Sequence, residues 1–294
     1  MTLREHLHEQ QELVELALDR CVPSESTPPE VIHRAMRYSL FAGGKRIRPI
    51  LCIEAARAVG GDAAGVEKAA CALELVHTYS LIHDDLPALD NDDLRRGKPT
   101  CHKVFGEAMA ILAGDALLTV AFEVLTSLEG VDGTRRARMA LELATAAGTP
   151  HGMVGGQVAD LEGERKEPSA ALLETIHRAK TGALIRASLR IGAIYVGASD
   201  DQLAALSRYG EHVGLAFQIV DDLLDVEQSS GELGKTAGKD ARQQKITFPA
   251  VYGLEESHRM AEGERARARE ALAGLGVRAE RLRELADWIV RRRA

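Results

Sequence analysis

The chain has 294 residues, 45% of them hydrophobic and 28% charged, with a formal net charge of −7. That length and balance suit a globular protein with a large core, as one big domain or two, and the acidic excess excludes wholesale nucleic-acid binding. Cys21, Cys52, Cys71 and Cys101 are scattered without a CxxC pair, which predicts free thiols in a reducing compartment and no disulfide frame or zinc knuckle.

In chain order, the first segment (MTLREHLHEQQELVELALDR) is charged and amphipathic from its start, so it predicts a helix over 5–20 and no secretory signal. Apolar residues recur at helical spacing over 30–42, 48–59, 65–85, 107–128, 134–148, 150–163, 170–196, 201–227, 246–257, 260–274 and 278–292. Pro28-Pro29 suits the first turn of the second helix and Gly43-Gly44 its end. Gly60-Gly61, 130–133 and 197–200 punctuate others. Nothing alternates as a strand for long, and no linker or low-complexity block interrupts the pattern. The prediction is an all-α fold, a single domain over 1–294 with about a dozen helices. No apolar run approaches ~18 residues, and the best, around 187–198, contains Arg190. The expectation is therefore a cytoplasmic protein with no stable membrane insertion.

Two acidic clusters stand out. The segment 83–96 reads HDDLPALDNDDLRR, with five aspartates between Asp84 and Asp93. The preceding helix must end near Pro87, which is poorly tolerated inside a helix and disfavours helical geometry at Leu86. His77 and Asp84, seven apart, share one face within ~20°. Asp90 would face elsewhere on an unbroken helix, but a chain turned by Pro87 returns it towards Asp84. Downstream, FQIVDDLLDVEQ places Gln218, Asp221, Asp222 and Asp225 at i, i+3, i+4 and i+7, one stripe of a helix otherwise built for burial. Carboxylates held this close need a divalent cation or protonation to offset their repulsion, and magnesium suits oxygen ligands with retained waters.

Cations accompany both clusters. Lys45 and Arg48 follow the Gly43-Gly44 turn, although GxxxxGK[ST] spacing is absent, so this is no P-loop. Arg95 and Arg96 adjoin the first cluster. Lys180-Thr181 lie in HRAKTGALIRAS, and Lys235 and Lys245 follow the second cluster. Aspartates, magnesium and convergent cations make a site for a diphosphate. Pulling that group off carbon needs stabilisation of its charge and a water-excluding apolar pocket for the carbocation left behind.

The ordered set GGKRIRP (43–49), HTYSLIHDDLPALDNDDLRRGKPT (77–100), ILAGDALL (111–118), GGQVADL (155–161), KTGALI (180–185), FQIVDDLLD (217–225), GKTAGKD (234–240) and K-x-T-F-P (245–249) resembles the trans-isoprenyl diphosphate synthase family, most closely its bacterial farnesyl diphosphate synthases. The resemblance spans about 30 to 255. It implies a helical bundle around a deep apolar cavity, usually a homodimer, with the aspartate motifs on facing helices. It implies condensation of isopentenyl diphosphate with dimethylallyl or geranyl diphosphate to (2E,6E)-farnesyl diphosphate, by ionisation, condensation and proton loss, with the departing diphosphate as base. Carried over by position, Asp84, Asp85, Asp90, Asp221 and Asp225 would hold magnesium, and Asp222 and Lys180 would also serve catalysis. Arg95, Lys180, Thr181, Gln218, Lys235 and Lys245 would hold the allylic diphosphate. Lys45, Arg48, His77 and Arg96 would hold isopentenyl diphosphate. The resemblance makes Tyr79 the floor that stops elongation. Ser80 is placed near the pocket by the helix wheel, ~40° from Asp84.

Other readings compete. A geranyl or geranylgeranyl diphosphate synthase uses the same scaffold. A terpene cyclase needs no second cationic site, and a non-catalytic partner subunit should have lost aspartates or arginines. His83-Asp84 imitates the doublet of metal phosphohydrolases but lacks further histidines. Gly155-Gly156 reads as close helix packing. Gln157 and Asp160 are left open as supporting groups or caps, and residues after about 255 read as packing helices.

Overall fold

The computed structural model describes residues 1–61, 63–163, 169–227 and 246–292. The expected roles of Lys235 and Lys245, and the segment 234–240, lie outside the described residues. The helices are α1 (Leu3–Cys21), α2 (Glu30–Leu40), α3 (Ile47–Val59), α4 (Val66–Asp84), α5 (Cys101–Phe105), α6 (Glu107–Thr126), α7 (Gly133–Ala147), α8 (Met153–Gly163), α9 (Ala170–His177), α10 (Ala183–Tyr195), α11 (Asp200–Glu227), α12 (Phe248–Tyr252), α13 (Leu254–Ala271) and α14 (Glu280–Arg291). The all-α expectation holds.

Three local features depart from the periodic pattern. The helix expected over 170–196 contains a π turn at Arg178–Gly182. The break expected near 258–259 falls at Gly253, whose φ of 79° is open to glycine. Strands β1 (Leu94–Arg95) and β2 (Lys98–Pro99) pair antiparallel where no strand was expected. Their connecting residues, Arg96 and Gly97, have φ of 54° and 75°, the positive values that match the twist of a two-residue hairpin turn.

The chain divides into two compact units, Met1–Ile50 with Ala64–Ala140 and Leu51–Ala63 with Leu141–Ala294. In the first, α4 is apolar on nearly every side and lies buried against α1, α2 and α6. α1 starts with a capping box between Thr2 and Glu5 and buries the stripe His6, Gln10, Val14 and Leu18. α6 is long and apolar enough to cross a membrane by length and composition, which corrects the expectation that no run comes close. It is instead packed on α4 and α2, with Ala110, Ala113, Gly114, Leu117 and Ala121 buried.

In the second unit α11 packs against α10 and α13. The Tyr209 hydroxyl donates to the Leu282 carbonyl at 2.5 Å, tying α11 to α14. Leu173, Leu215, Ile219, Val220, Leu223, Leu224, Ile246, Phe248 and Ala261 form a core cluster. The second acidic stripe therefore leaves a helix whose other sides are fixed in the core.

Candidate active site

In the first unit, α4 ends at Asp84 and the chain folds back on itself. The Asp90 amide donates to the Asp84 carbonyl at 2.8 Å and the Asp92 amide to the Asp85 carbonyl at 3.2 Å. The turn thus returns Asp90 to Asp84, as the position of Pro87 predicts, with Asn91 accepting a φ of 49°. Asp84 and Asp90 are half-buried, whereas Asp85 is 4% exposed. Arg95 donates to Asp85 Oδ1 from Nε at 3.0 Å and from Nη2 at 2.5 Å. Burial raises the Asp85 carboxyl above its usual range, with Arg95 opposing the rise. This geometry pairs Asp85 with Arg95.

The hairpin puts Arg96 across the glycine turn. Its Nη1 donates to the Gly43 carbonyl, and a Cβ on Gly44 would lie 2.7 Å from that nitrogen. Between Lys45 and Arg48, Arg46 is buried in the core. Its guanidinium donates to Glu15 at 2.7 Å, Glu74 at 2.6 Å and the Leu40 carbonyl at 2.6 Å. Arg46, assigned no role from the sequence, is the anchor of this loop. His77 is held well below the usual imidazole range by burial and by Arg48, Arg96, Arg95 and Arg46, so it is neutral beside four guanidinium groups.

On the same helix Tyr79 is buried, its ring edge-on to His83 with centroids 5.6 Å apart. Burial and the nearby Asp84 raise its phenol. His83 contacts the Ile111 carbonyl at 3.0 Å over Gly114, where a Cβ would strike its ring. This role on α6 answers the phosphohydrolase reading of His83. The Ser80 hydroxyl donates back to the His77 carbonyl at 2.8 Å.

In the second unit, the π turn widens the backbone at Lys180 and Thr181, a distortion that recurs at functional sites. Lys180 Nζ donates to Asp160 Oδ2 at 2.7 Å. The Thr181 hydroxyl donates to Gln218 Oε1 at 2.9 Å, and Gln218 Nε2 donates to Asp222 Oδ1 at 2.8 Å. Asp222 Oδ2 accepts the Phe248 amide at 2.9 Å. Asp222 is therefore an orienting group whose oxygens are engaged within the protein. A Cβ on Gly156 would lie 2.7 Å from the Lys180 Cα, so this glycine allows close packing, as its sequence context predicts. His177 stacks on Phe248 with centroids 5.3 Å apart. Burial lowers it to about 4, against the pull of Asp160 and with the push of Lys180.

Asp160, left open by the sequence, is the partner of Lys180. Arg292 was missed entirely: it donates to Asp221 Oδ1 at 2.5 Å, so the chain beyond 255 does more than pack. The signal was absent because 71 residues separate the two.

Among the described residues, no three His, Cys, Asp or Glu side chains converge as a cage for an ion. The donors are oxygens: Asp84 and Asp90 in one turn, Asp221 and Asp225 on one helical stripe. That set fits magnesium, which takes one or two carboxylates and completes its shell with phosphate oxygens and waters.

The chain matches the polyprenyl synthetase family over residues 29–282. It is 51% identical over 256 residues to a farnesyl diphosphate synthase of Geobacillus stearothermophilus, with 86% of each chain covered. It is 54% identical over 269 residues to the chloroplastic heterodimeric geranylgeranyl pyrophosphate synthase large subunit 1 of Arabidopsis thaliana, covering 90% of this chain and 72% of the relative. An FPP/GFPP synthase structure from Zymomonas mobilis superposes with a TM-score of 0.87 at 36% identity, covering 98% of both chains. With the family model matched over most of its length, this chain belongs to the polyprenyl synthetase family.

Proposed function

We propose that the protein is a prenyltransferase that condenses isopentenyl diphosphate with dimethylallyl or geranyl diphosphate to give (2E,6E)-farnesyl diphosphate. The observation that carries this reading is the Lys180–Thr181 π turn bonded to Asp160 and Gln218. It sets a cation and a hydroxyl beside the helix that bears Asp221 and Asp225. A metal-held diphosphate needs those groups.

Arg95, Lys180, Thr181 and Gln218 hold the allylic diphosphate, with Lys235 and Lys245 assigned by position alone. Asp84, Asp90, Asp221 and Asp225 hold magnesium, which when bound supplies positive charge to the leaving diphosphate. Asp85 and Asp222 orient Arg95 and Gln218. Lys45, Arg48, Arg96 and neutral His77 hold isopentenyl diphosphate, whose double bond attacks the ionised allylic carbon. The departing diphosphate takes the proton. Tyr79 sets the end of the product chain, with Ser80 beside it.

The protein works as a cytoplasmic homodimer; Val104, Ile111 and Leu112 on α5 and α6 are exposed apolar side chains, a face of the kind that a second copy would cover. The free cysteines support a reducing compartment. A geranylgeranyl diphosphate synthase is the second reading, favoured by the name of the Arabidopsis relative. Chromatography of dephosphorylated products from isopentenyl diphosphate with each allylic starter tests both. Fifteen-carbon product is expected, and a twenty-carbon product throughout selects the second reading.

A further inference from the structure

Arg292 lies beyond the residues matched by the family, yet its guanidinium rests in the second acidic cluster. Its side chain is 3% exposed, against 42% for Asp221. Nη2 donates to Asp221 Oδ1 at 2.5 Å and to the Phe217 carbonyl at 3.0 Å, and the group lies 3.8 Å over the Phe217 ring. Its Nε is buried without an acceptor among the described residues. A buried guanidinium needs a carboxylate partner, so Asp221 holds it, while the orphaned N–H makes this an imperfect resting place.

We infer that Arg292 is a built-in counter-cation for Asp221, a positioning residue that holds the carboxylate until a metal–diphosphate complex claims it. The inference rests on the reading of Asp221 as a metal ligand. A guanidinium on Oδ1 and a divalent ion on the same carboxylate repel, so each binds at the other's expense, and the coupling is reciprocal. The consequence for the reaction is a lowered affinity for cations that arrive without diphosphate to offset the charge.

The test is Mn2+ binding to the full chain in the absence of diphosphate, read from the free-ion electron paramagnetic resonance signal. Arg292→Gln is expected to tighten Mn2+ by about tenfold. Phe217→Leu, which removes the ring beneath the guanidinium, is expected to tighten it in the same direction and serves should Arg292→Gln fold poorly. In an Asp221→Asn background, Arg292→Gln is expected to change nothing. Unchanged or weakened Mn2+ binding in both Arg292→Gln and Phe217→Leu, with Asp221→Asn weakened, overturns the inference and leaves the metal reading standing. Unchanged binding in Asp221→Asn removes the metal reading, and the inference with it.

Discussion

Arg95 reaches Asp85 through two nitrogens, Nε at 3.0 Å and Nη2 at 2.5 Å, both on the single oxygen Oδ1. The first cluster is thus divided. Asp85 is buried and committed to an arginine, while Asp84 and Asp90 meet at the turn.

That division predicts different phenotypes for adjacent aspartates. If Asp84 and Asp221 hold magnesium as proposed, Asp84→Ala, like Asp221→Ala, is expected to cut kcat by about a hundredfold or more. Asp85→Asn loosens Arg95 and is expected to act chiefly on the KM for the allylic substrate. Steady-state kinetics with magnesium varied check it. Full activity in excess EDTA, or near-normal kcat in Asp84→Ala, overturns the assignment.

The two diphosphates must bind apart, and the cations fall in two groups. Arg48→Ala is expected to raise the KM for isopentenyl diphosphate, and Lys180→Ala that for the allylic partner, each by about tenfold or more. If both variants impair the same substrate, the partition is wrong.

Tyr79 and Ser80 lie four to five residues before Asp84, about 6–7.5 Å down the helix from it. Tyr79→Ala is expected to release products of twenty carbons or more, and Ser80→Phe to shorten them to ten. Turnover is expected to persist in both, because the proposed diphosphate-binding residues are left intact. Two active variants that still stop at fifteen carbons place the floor elsewhere.

Arg46 supplies a stability prediction. Arg46→Ala leaves Glu74, 2% exposed, without its partner, and the expected loss is about 3–5 kcal/mol in urea unfolding. Arg46→Lys is not expected to rescue it, since one ammonium cannot span Glu15, Glu74 and the Leu40 carbonyl. A loss under ~1 kcal/mol rules out the anchor.

His177 predicts a pH dependence. Its pKa is lowered by burial to about 4 in the fold, against about 6.5 in an unfolded chain. Between those values the unfolded state binds the extra proton, so stability falls as pH drops through the window. The native chain is expected to lose about 2 kcal/mol more than His177→Leu between about pH 7 and pH 5. Equal losses in denaturant titrations at both pH values dismiss the role.

The sequence by itself determined the helices, because their apolar spacing is a local property, and it determined the stripe Gln218–Asp221–Asp222–Asp225, because helical geometry fixes side chains four apart. Pro87 even foretold the return of Asp90 to Asp84. The strands around Arg96-Gly97 were too short to leave a periodic signal, and the π turn at Lys180 preserves composition while changing hydrogen bonding. What only the tertiary structure decided is which charged group each charge meets. Arg46 and Arg48 look alike in GGKRIRP, yet Glu15 and Glu74 draw one into the core. Asp85 and Asp84 look alike in HDD, yet burial commits one to Arg95. Asp221 and Arg292 meet across 71 residues, because pairing follows distance in space and desolvation, neither of which is written in local order.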